Sequence, residues 1–190
     1  LTPDGDAAAI SRTARRAGAP DWIDGTLLRM LDGGLWHATK EHAWRSIVNE
    51  GKIRADAPPL YKNGFCRSIG GVSLFDLTRP DDAASPAAAH WSAWLGATDD
   101  EPRYWIEIER SGVAAELLTT EETLSRWREA FERHSPNLRI IAGLETAHIG
   151  SIPLDRTCRV LRLIRGQLQE DPEAIVGQAT LPQSSRSMMR

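Results

Sequence analysis

Leu35-Trp36-His37-Ala38-Thr39-Lys40, followed by an amphipathic run that Gly51 stops, decides how this chain reads. A lone imidazole stands in an apolar strand, and a helix follows directly. Further on comes Gly70-Gly71-Val72-Ser73-Leu74-Phe75-Asp76, and later Ile140-Ile141-Ala142-Gly143-Leu144-Glu145-Thr146-Ala147-His148-Ile149. Each strand-like piece carries a polar group, which suggests a cleft built from strand faces.

The 190 residues are 41% hydrophobic and 26% charged, enough apolar material for one core and hence one domain. A formal net charge of -3 leaves no overall basic field for a polyanion, so a nucleic acid would need local patches. Cys66 and Cys158 lie far apart with no CxxC, against both a disulfide scaffold and a structural zinc site. Reduced thiols point to a cytoplasmic protein, or one delivered into a target cell's cytoplasm. No apolar stretch reaches membrane-helix length, and the first residues lack a charged and then apolar leader pattern, so no membrane partner is expected.

Residues 1–20 read as a loose lead-in, 21–176 as a single domain and 177–190 as a flexible tail. Residues 21–31 have helical spacing ended by Gly33-Gly34. Leu35–Ala38 is the first strand, and Thr39 is placed to cap a helix carrying Trp44, Ile47 and Val48 on one side. Pro58-Pro59 and Asn63-Gly64 favour a long loop from Ile53 to Ser68. Val72–Phe75 is a second strand, Pro86–Leu95 a short helix, and Arg103–Ile108 alternates most cleanly of all. Thr120–His134 is a helix with Leu124, Trp127 and Phe131 on one face, and Leu138–Ala142, Leu144–Ile149 and Arg159–Ile164 are further strands. Short strands interrupted by helices indicate an α+β fold rather than a repeating βαβ sheet.

Glu145 on a strand would share its face with Gly143 and Ala147, whose small side chains leave room for a ligand. A carboxylate in such a notch suits a developing cation, such as the oxocarbenium formed as a glycosidic bond to ribose breaks. On base rates alone, an edge-strand Glu facing solvent is the commoner outcome. A lone His such as His37 is likewise more often a core residue bonded to backbone; its functional reading is donation to a ligand hydroxyl, with Thr39 two residues along the same face. The five histidines show no HxxxH, Glu107 and Glu109 read as solvated, Ser73 lacks a GxSxG elbow, and Cys66 has no base nearby in sequence. Arginines 156, 159, 162 and 165 have a spacing that scatters them over both strand faces.

From residue 35 to about 164, these motifs in this order resemble the ADP-ribosyltransferase superfamily. Leu35-Trp36-His37-Ala38-Thr39 with its helix and Glu50-Gly51-Lys52-Ile53 resembles the opening of the DarT-like branch. Gly70–Phe75 resembles the second characteristic strand, and Gly143–Leu154, with Ile152-Pro153-Leu154 after the Glu, resembles the last. The resemblance implies a split, mostly antiparallel pair of β-sheets with inserted helices, clasping NAD as substrate. It also implies that Glu145 holds the 2'-hydroxyl of the nicotinamide ribose and that His37 bonds a ribose hydroxyl, with Thr39 and Ser73 beside them. Arg67 would contact phosphate, and Phe75, or Tyr61 from the loop, would stack on nicotinamide in place of the usual strand Tyr. Arginine-modifying members carry an acid or amide two residues before the catalytic Glu; here that residue is Gly143, which disfavours a protein arginine as acceptor. The implied activity is mono-ADP-ribosylation of a nucleic acid or a non-arginine protein side chain by a bacterial toxin or effector, with an antitoxin or immunity protein as a further partner. An RNA 2'-phosphotransferase-like NAD enzyme and a catalytically silent NAD- or partner-binding module are the alternatives. All of these require His37 and Glu145 to reach one cleft; the two far apart, or facing opposite sides of a sheet, would instead mark an unrelated α+β domain.

Overall fold

A computed structural model describes residues 30–56, 64–78, 101–133, 137–164 and 167–171. The expected lead-in, all but the last two residues of the first helix, Tyr61, the Pro86–Leu95 helix and the C-terminal tail lie outside them. Strand β1 (Leu35–Lys40) feeds helix α1 (Glu41–Glu50), then β2 (Lys52–Ile53), α2 (Phe65–Ser68) and β3 (Gly71–Asp76). Next come β4 (Arg103–Ile108), the short α3 (Arg110–Val113) and α4 (Thr120–Arg133). Strands β5 (Glu145–Ile149), β6 (Ile152–Pro153), β7 (Thr157–Ile164) and β8 (Gln167–Glu170) complete the order. Six strands form one antiparallel sheet in the order β5-β3-β1-β4-β7-β8, with β2 and β6 as a separate two-stranded ribbon. The α+β class is the one read from the order of short strands and helices, and the mostly antiparallel pairing is the one the resemblance implies.

One sheet face carries Leu35, Val72, Leu74, Tyr104, Ile106, Ile108 and Val160, packed against Trp44 and Ile47 of α1 and against Ile152 and Leu154. Trp44 and Tyr104 stack with ring centroids 5.4 Å apart. Each large side chain buried here contributes ~1.5–3 kcal/mol relative to exposure. The opposite face is not left polar, because Trp36, Trp105, Leu161 and Leu163 are buried there as well. Alternation along β4 therefore marks its two faces without marking one as solvent.

Three local expectations are corrected. Thr39 does not cap α1: the β1–β4 ladder continues through Thr39↔Tyr104 and Lys40↔Arg103, so the helix begins after Lys40 with no side-chain cap. Its end is as expected, Gly51 at φ 67° sending its N–H to the last carbonyls. Residues 138–142 are no strand but a turn region with one bridge, Arg139 to Gly64, because Gly143 at φ 81° reverses the chain before β5. Of the expected 53–68 loop, Ile53 ends β2 and Phe65–Ser68 form α2, while residues 57–63 lie outside the described residues. Helix α4 is capped one residue earlier than its start suggests. The Glu122 N–H bonds Thr119 Oγ1 at 3.0 Å, and the Thr119 N–H bonds the Glu122 carboxylate at 2.8 Å. Its buried residue is Thr123, while Phe131 of the expected apolar face is 44% exposed.

β1 is anchored at its start by Trp36, whose indole N–H donates to the Leu31 carbonyl at 2.7 Å and whose ring lies under the Arg159 guanidinium. A Cβ added to Gly34 would stand 2.2 Å from Trp36 Nε1. Trp36 is fully buried and cannot swing aside. Gly34→Ala is therefore expected to lower unfolding stability by ~1–3 kcal/mol, as overpacking does, read as a lower denaturation midpoint with an unchanged m-value.

Candidate functional site

β1 and β3 are neighbours for two rungs only, Leu35↔Asp76 and Trp36↔Phe75. Beyond Trp36, β1 continues against β4, and β3 continues against β5 through five rungs to Gly71↔Ile149. The sheet parts between them. Successive backbone groups on a strand point to alternate edges, so alternate residues from His37 to Lys40 turn N–H and C=O toward this opening. A cavity of about 690 Å³ occupies it. Its lining includes His37, Thr39, Ser73, Phe75, Glu145, Cys66, Arg67 and Trp105, with α1 and the 139–141 turn closing it.

Glu145 is only 8% exposed although β5 is the edge strand of the sheet, because the 139–144 turn folds over it. Ser73 Oγ donates to Oε1 at 2.6 Å, the Ile141 N–H donates to Oε2 at 2.9 Å, and the Cys66 thiol approaches Oε1 at 3.4 Å. The Glu145 N–H returns to the Ile141 carbonyl at 2.8 Å, tying the turn to the residue it covers. Burial raises the Glu145 pKa, and the Ser73, Ile141 and Cys66 donors oppose that rise by stabilising the ionised form. Desolvation and the adjacent carboxylate push the Cys66 thiol far up, so it is a neutral donor rather than a nucleophile.

His37 bonds Ser73 from the other side, its Nδ1 lying 3.0 Å from the Ser73 carbonyl. A carbonyl only accepts, so Nδ1 carries the hydrogen in this contact. Burial lowers the imidazole pKa, favouring the neutral ring whose Nε2 is then an acceptor. In this neutral form Nε2 offers a lone pair where the expected reading had a donor. The route by which the groups meet is corrected. Rungs Trp36↔Phe75 and Phe75↔Glu145 put Phe75 and Glu145 side by side on one face, whereas His37, next to Trp36, belongs by alternation to the other. The opening between β1 and β3, not a shared strand face, lets both reach one cavity. Gly143 is likewise not on Glu145's face, since it precedes the strand in a turn; Ala147, fully buried, is.

Thr39 lines the cavity and is 5% exposed. Phe75, 9% exposed, lies with its ring centroid 5.4 Å from that of Trp105 at an interplanar angle of 52°. Arg67 sits on the rim, one Nη hydrogen directed to the Asp56 carbonyl at 3.0 Å. Tyr61 falls outside the described residues. Glu107, expected to be solvated, is instead half-buried and paired with Arg159 at 3.0 Å, while Arg159 and Arg162 sit on opposite faces of β7 as their spacing implies. Trp105, Ile141 and Arg139 were not singled out in sequence. Only the long-range pairing identifies Ile141 and Arg139, whereas the alternation along β4 placed Trp105 beside Glu107 without showing what covers it.

Among the described residues, no group of three or more His, Cys, Asp or Glu side chains is placed to hold a metal ion, and no helix is long and apolar enough to cross a membrane. No family model matches this chain, and no curated protein matches it. The chemistry is therefore read from the geometry: a buried carboxylate held by three donors, a neutral imidazole acceptor and an aromatic edge, facing one cavity large enough for a nucleotide-sized ligand.

The native Glu145 binds its proton at a higher pH than the same carboxyl in the unfolded chain, so stability falls as pH climbs from the unfolded carboxyl range through the raised native value. Gln at this position has no such charge, and the Ser73 hydroxyl can turn to accept from its amide. Glu145→Gln is expected to raise the melting temperature at pH 8 by ~2–4 °C, the shift that 1 kcal/mol produces in a chain of this size. At pH 4 the difference should vanish. An equal drop at both pH values would contradict an ionised, desolvated carboxylate.

Proposed function

We propose that this chain is an NAD-dependent mono-ADP-ribosyltransferase with the ADP-ribosyltransferase fold. One observation carries the reading. Ser73 joins the two expected ribose-binding groups at the opening of the sheet, its carbonyl taken by His37 and its hydroxyl given to Glu145. Support also comes from Phe75 in the same cavity and from the β1 edge that β3 leaves unpaired after Trp36.

In this mechanism NAD enters as substrate, with nicotinamide against Phe75 and a ribose hydroxyl donating to Nε2 of His37. The Glu145 carboxylate accepts from the 2'-hydroxyl and faces the positive charge that grows on C1' as the glycosidic bond loosens. That bond breaks with both electrons leaving on nicotinamide, which departs neutral. An oxygen or nitrogen of the acceptor then bonds C1' and releases its proton. Fixed in place by Ser73, Ile141 and Cys66, the carboxylate needs no reorganisation as the charge develops. The acceptor is a nucleic acid or a non-arginine side chain, since Gly143 brings no acid or amide two residues ahead of Glu145. A bacterial toxin or effector acting in a cytoplasm, held in check by an antitoxin or immunity protein, fits such chemistry. Arg67, Arg103 and Arg139 along the cavity favour one variant, an RNA 2'-phosphotransferase-like use of NAD. It would consume an RNA end bearing a 2'-phosphate.

The test is incubation with NAD labelled in the adenylate, alongside separate DNA, RNA and protein pools. Wild type is expected to release nicotinamide and label one pool, while Glu145→Gln lowers turnover by about 100-fold or more yet keeps NAD affinity within a few-fold. Wild type that binds NAD without releasing nicotinamide would mark a silent binding module and end the enzyme reading. Activity should also rise with pH through the raised Glu145 pKa, because only the ionised carboxylate stabilises the cation.

A further inference from the structure

Two side chains that line the cavity carry a buried donor with no partner among the described residues: Trp105, 1% exposed, with its indole N–H, and Arg103 with its Nε. They stand two apart on β4 and so on one face, Trp105 opposite Ala38 and Arg103 opposite Lys40, just where β1 has parted from β3. By register, Phe75 and Glu145 look out from that same face across the opening.

A buried N–H without an acceptor keeps its full desolvation cost, which proteins rarely tolerate without an occupant for the place. Indole and guanidinium are donors only, so the occupant must bring acceptors. Arg103 adds a positive charge. Glu101, which feels the Arg103 charge, is already engaged by Lys40 Nζ at 2.9 Å and lies 3.6 Å from Nδ1 of His42. Arg162 also has a buried unpartnered Nε, but its side chain lies on the other face, opposite Tyr104, and does not line the cavity. The geometry points to a phosphate-oxyanion subsite formed by the Arg103 guanidinium and the Trp105 indole N–H, which seats a phosphate group of a substrate beside the reacting centre. The inference rests on the proposed activity only for which substrate brings the phosphate: the diphosphate of the dinucleotide or a phosphodiester of a nucleic-acid acceptor.

Calorimetric titration of the full chain with inorganic pyrophosphate at low ionic strength tests the subsite without any turnover. Wild type is expected to bind, Arg103→Ala to weaken binding about tenfold or more, and Trp105→Phe, which keeps an aromatic ring and removes the N–H, to weaken it severalfold. Arg162→Ala should leave the affinity unchanged. Melting temperatures identify any variant that has lost its fold, and Arg103→Lys, retaining charge but not the guanidinium fork, should fall between wild type and Arg103→Ala. Kinetics then separate the sources. A raised KM for NAD in its hydrolysis assigns the phosphate to the dinucleotide, and a raised KM for an oligonucleotide acceptor alone assigns it to the acceptor. Absence of pyrophosphate binding by wild type, or equal affinity in folded Arg103→Ala and Trp105→Phe, would overturn the subsite and leave an ordered water as partner of both donors. Pyrophosphate binding that depends on Arg103 and Trp105 in a chain that never releases nicotinamide would uphold the subsite while removing the enzyme reading.

Discussion

Where β1 and β3 stop pairing, two strands of one sheet must satisfy backbone groups that no longer face each other, and the rest of the site depends on how this is done. His37 meets the Ser73 carbonyl with a ring nitrogen, so a side chain continues the link across the parting strands. Ser73 then spends its hydroxyl on Glu145, and Glu145 holds the turn that roofs it through the Ile141 N–H. Strand separation, carboxylate placement and cavity closure are thus one connected set of hydrogen bonds. Trp36 secures the near end of the opening through Leu31 and Arg159.

Burial and hydrogen bonding work against each other at Glu145. Desolvation favours the neutral acid, and three donors aimed at its oxygens favour the anion. A carboxylate in this balance is held in position and weakly solvated, the state in which it interacts most strongly with a positive charge brought close to it. The neutral His37 complements it as an acceptor. Arg103 and Trp105, on the far side of the opening, add donors to a cavity whose centre otherwise offers acceptors. On the proposed reading the acceptors would face a ribose and the donors a phosphate, as a nucleotide is divided.

Much of this was legible along the chain wherever local periodicity or backbone chemistry was decisive. Arg103–Ile108 alternates and is a strand over those same residues, and Gly51 stops α1 by taking the left-handed conformation. Glu145 stood out as a carboxylate among apolar neighbours, and it is buried. Periodicity failed at Thr39, where pairing with Tyr104 overrode a good capping residue, and at 138–142, where an apolar run suited to a strand became a turn. Nor could it show that the thiol of Cys66 lies against a carboxylate 79 residues away in sequence.

By itself, then, the amino-acid sequence determined the α+β class, most strands and helices, and His37 and Glu145 as groups worth following, because hydrophobic period, turn residues and isolated polar side chains are local properties; antiparallel pairing and the places of Ser73 and Phe75 were implied by the resemblance. Only the tertiary structure decided that these groups share a cavity. Alternation alone sends His37 and Glu145 to opposite faces of a sheet, and they come together because the ladder between β1 and β3 ends after Trp36. That ending is a property of two strands more than thirty residues apart in the chain, set by what each pairs with on its far side.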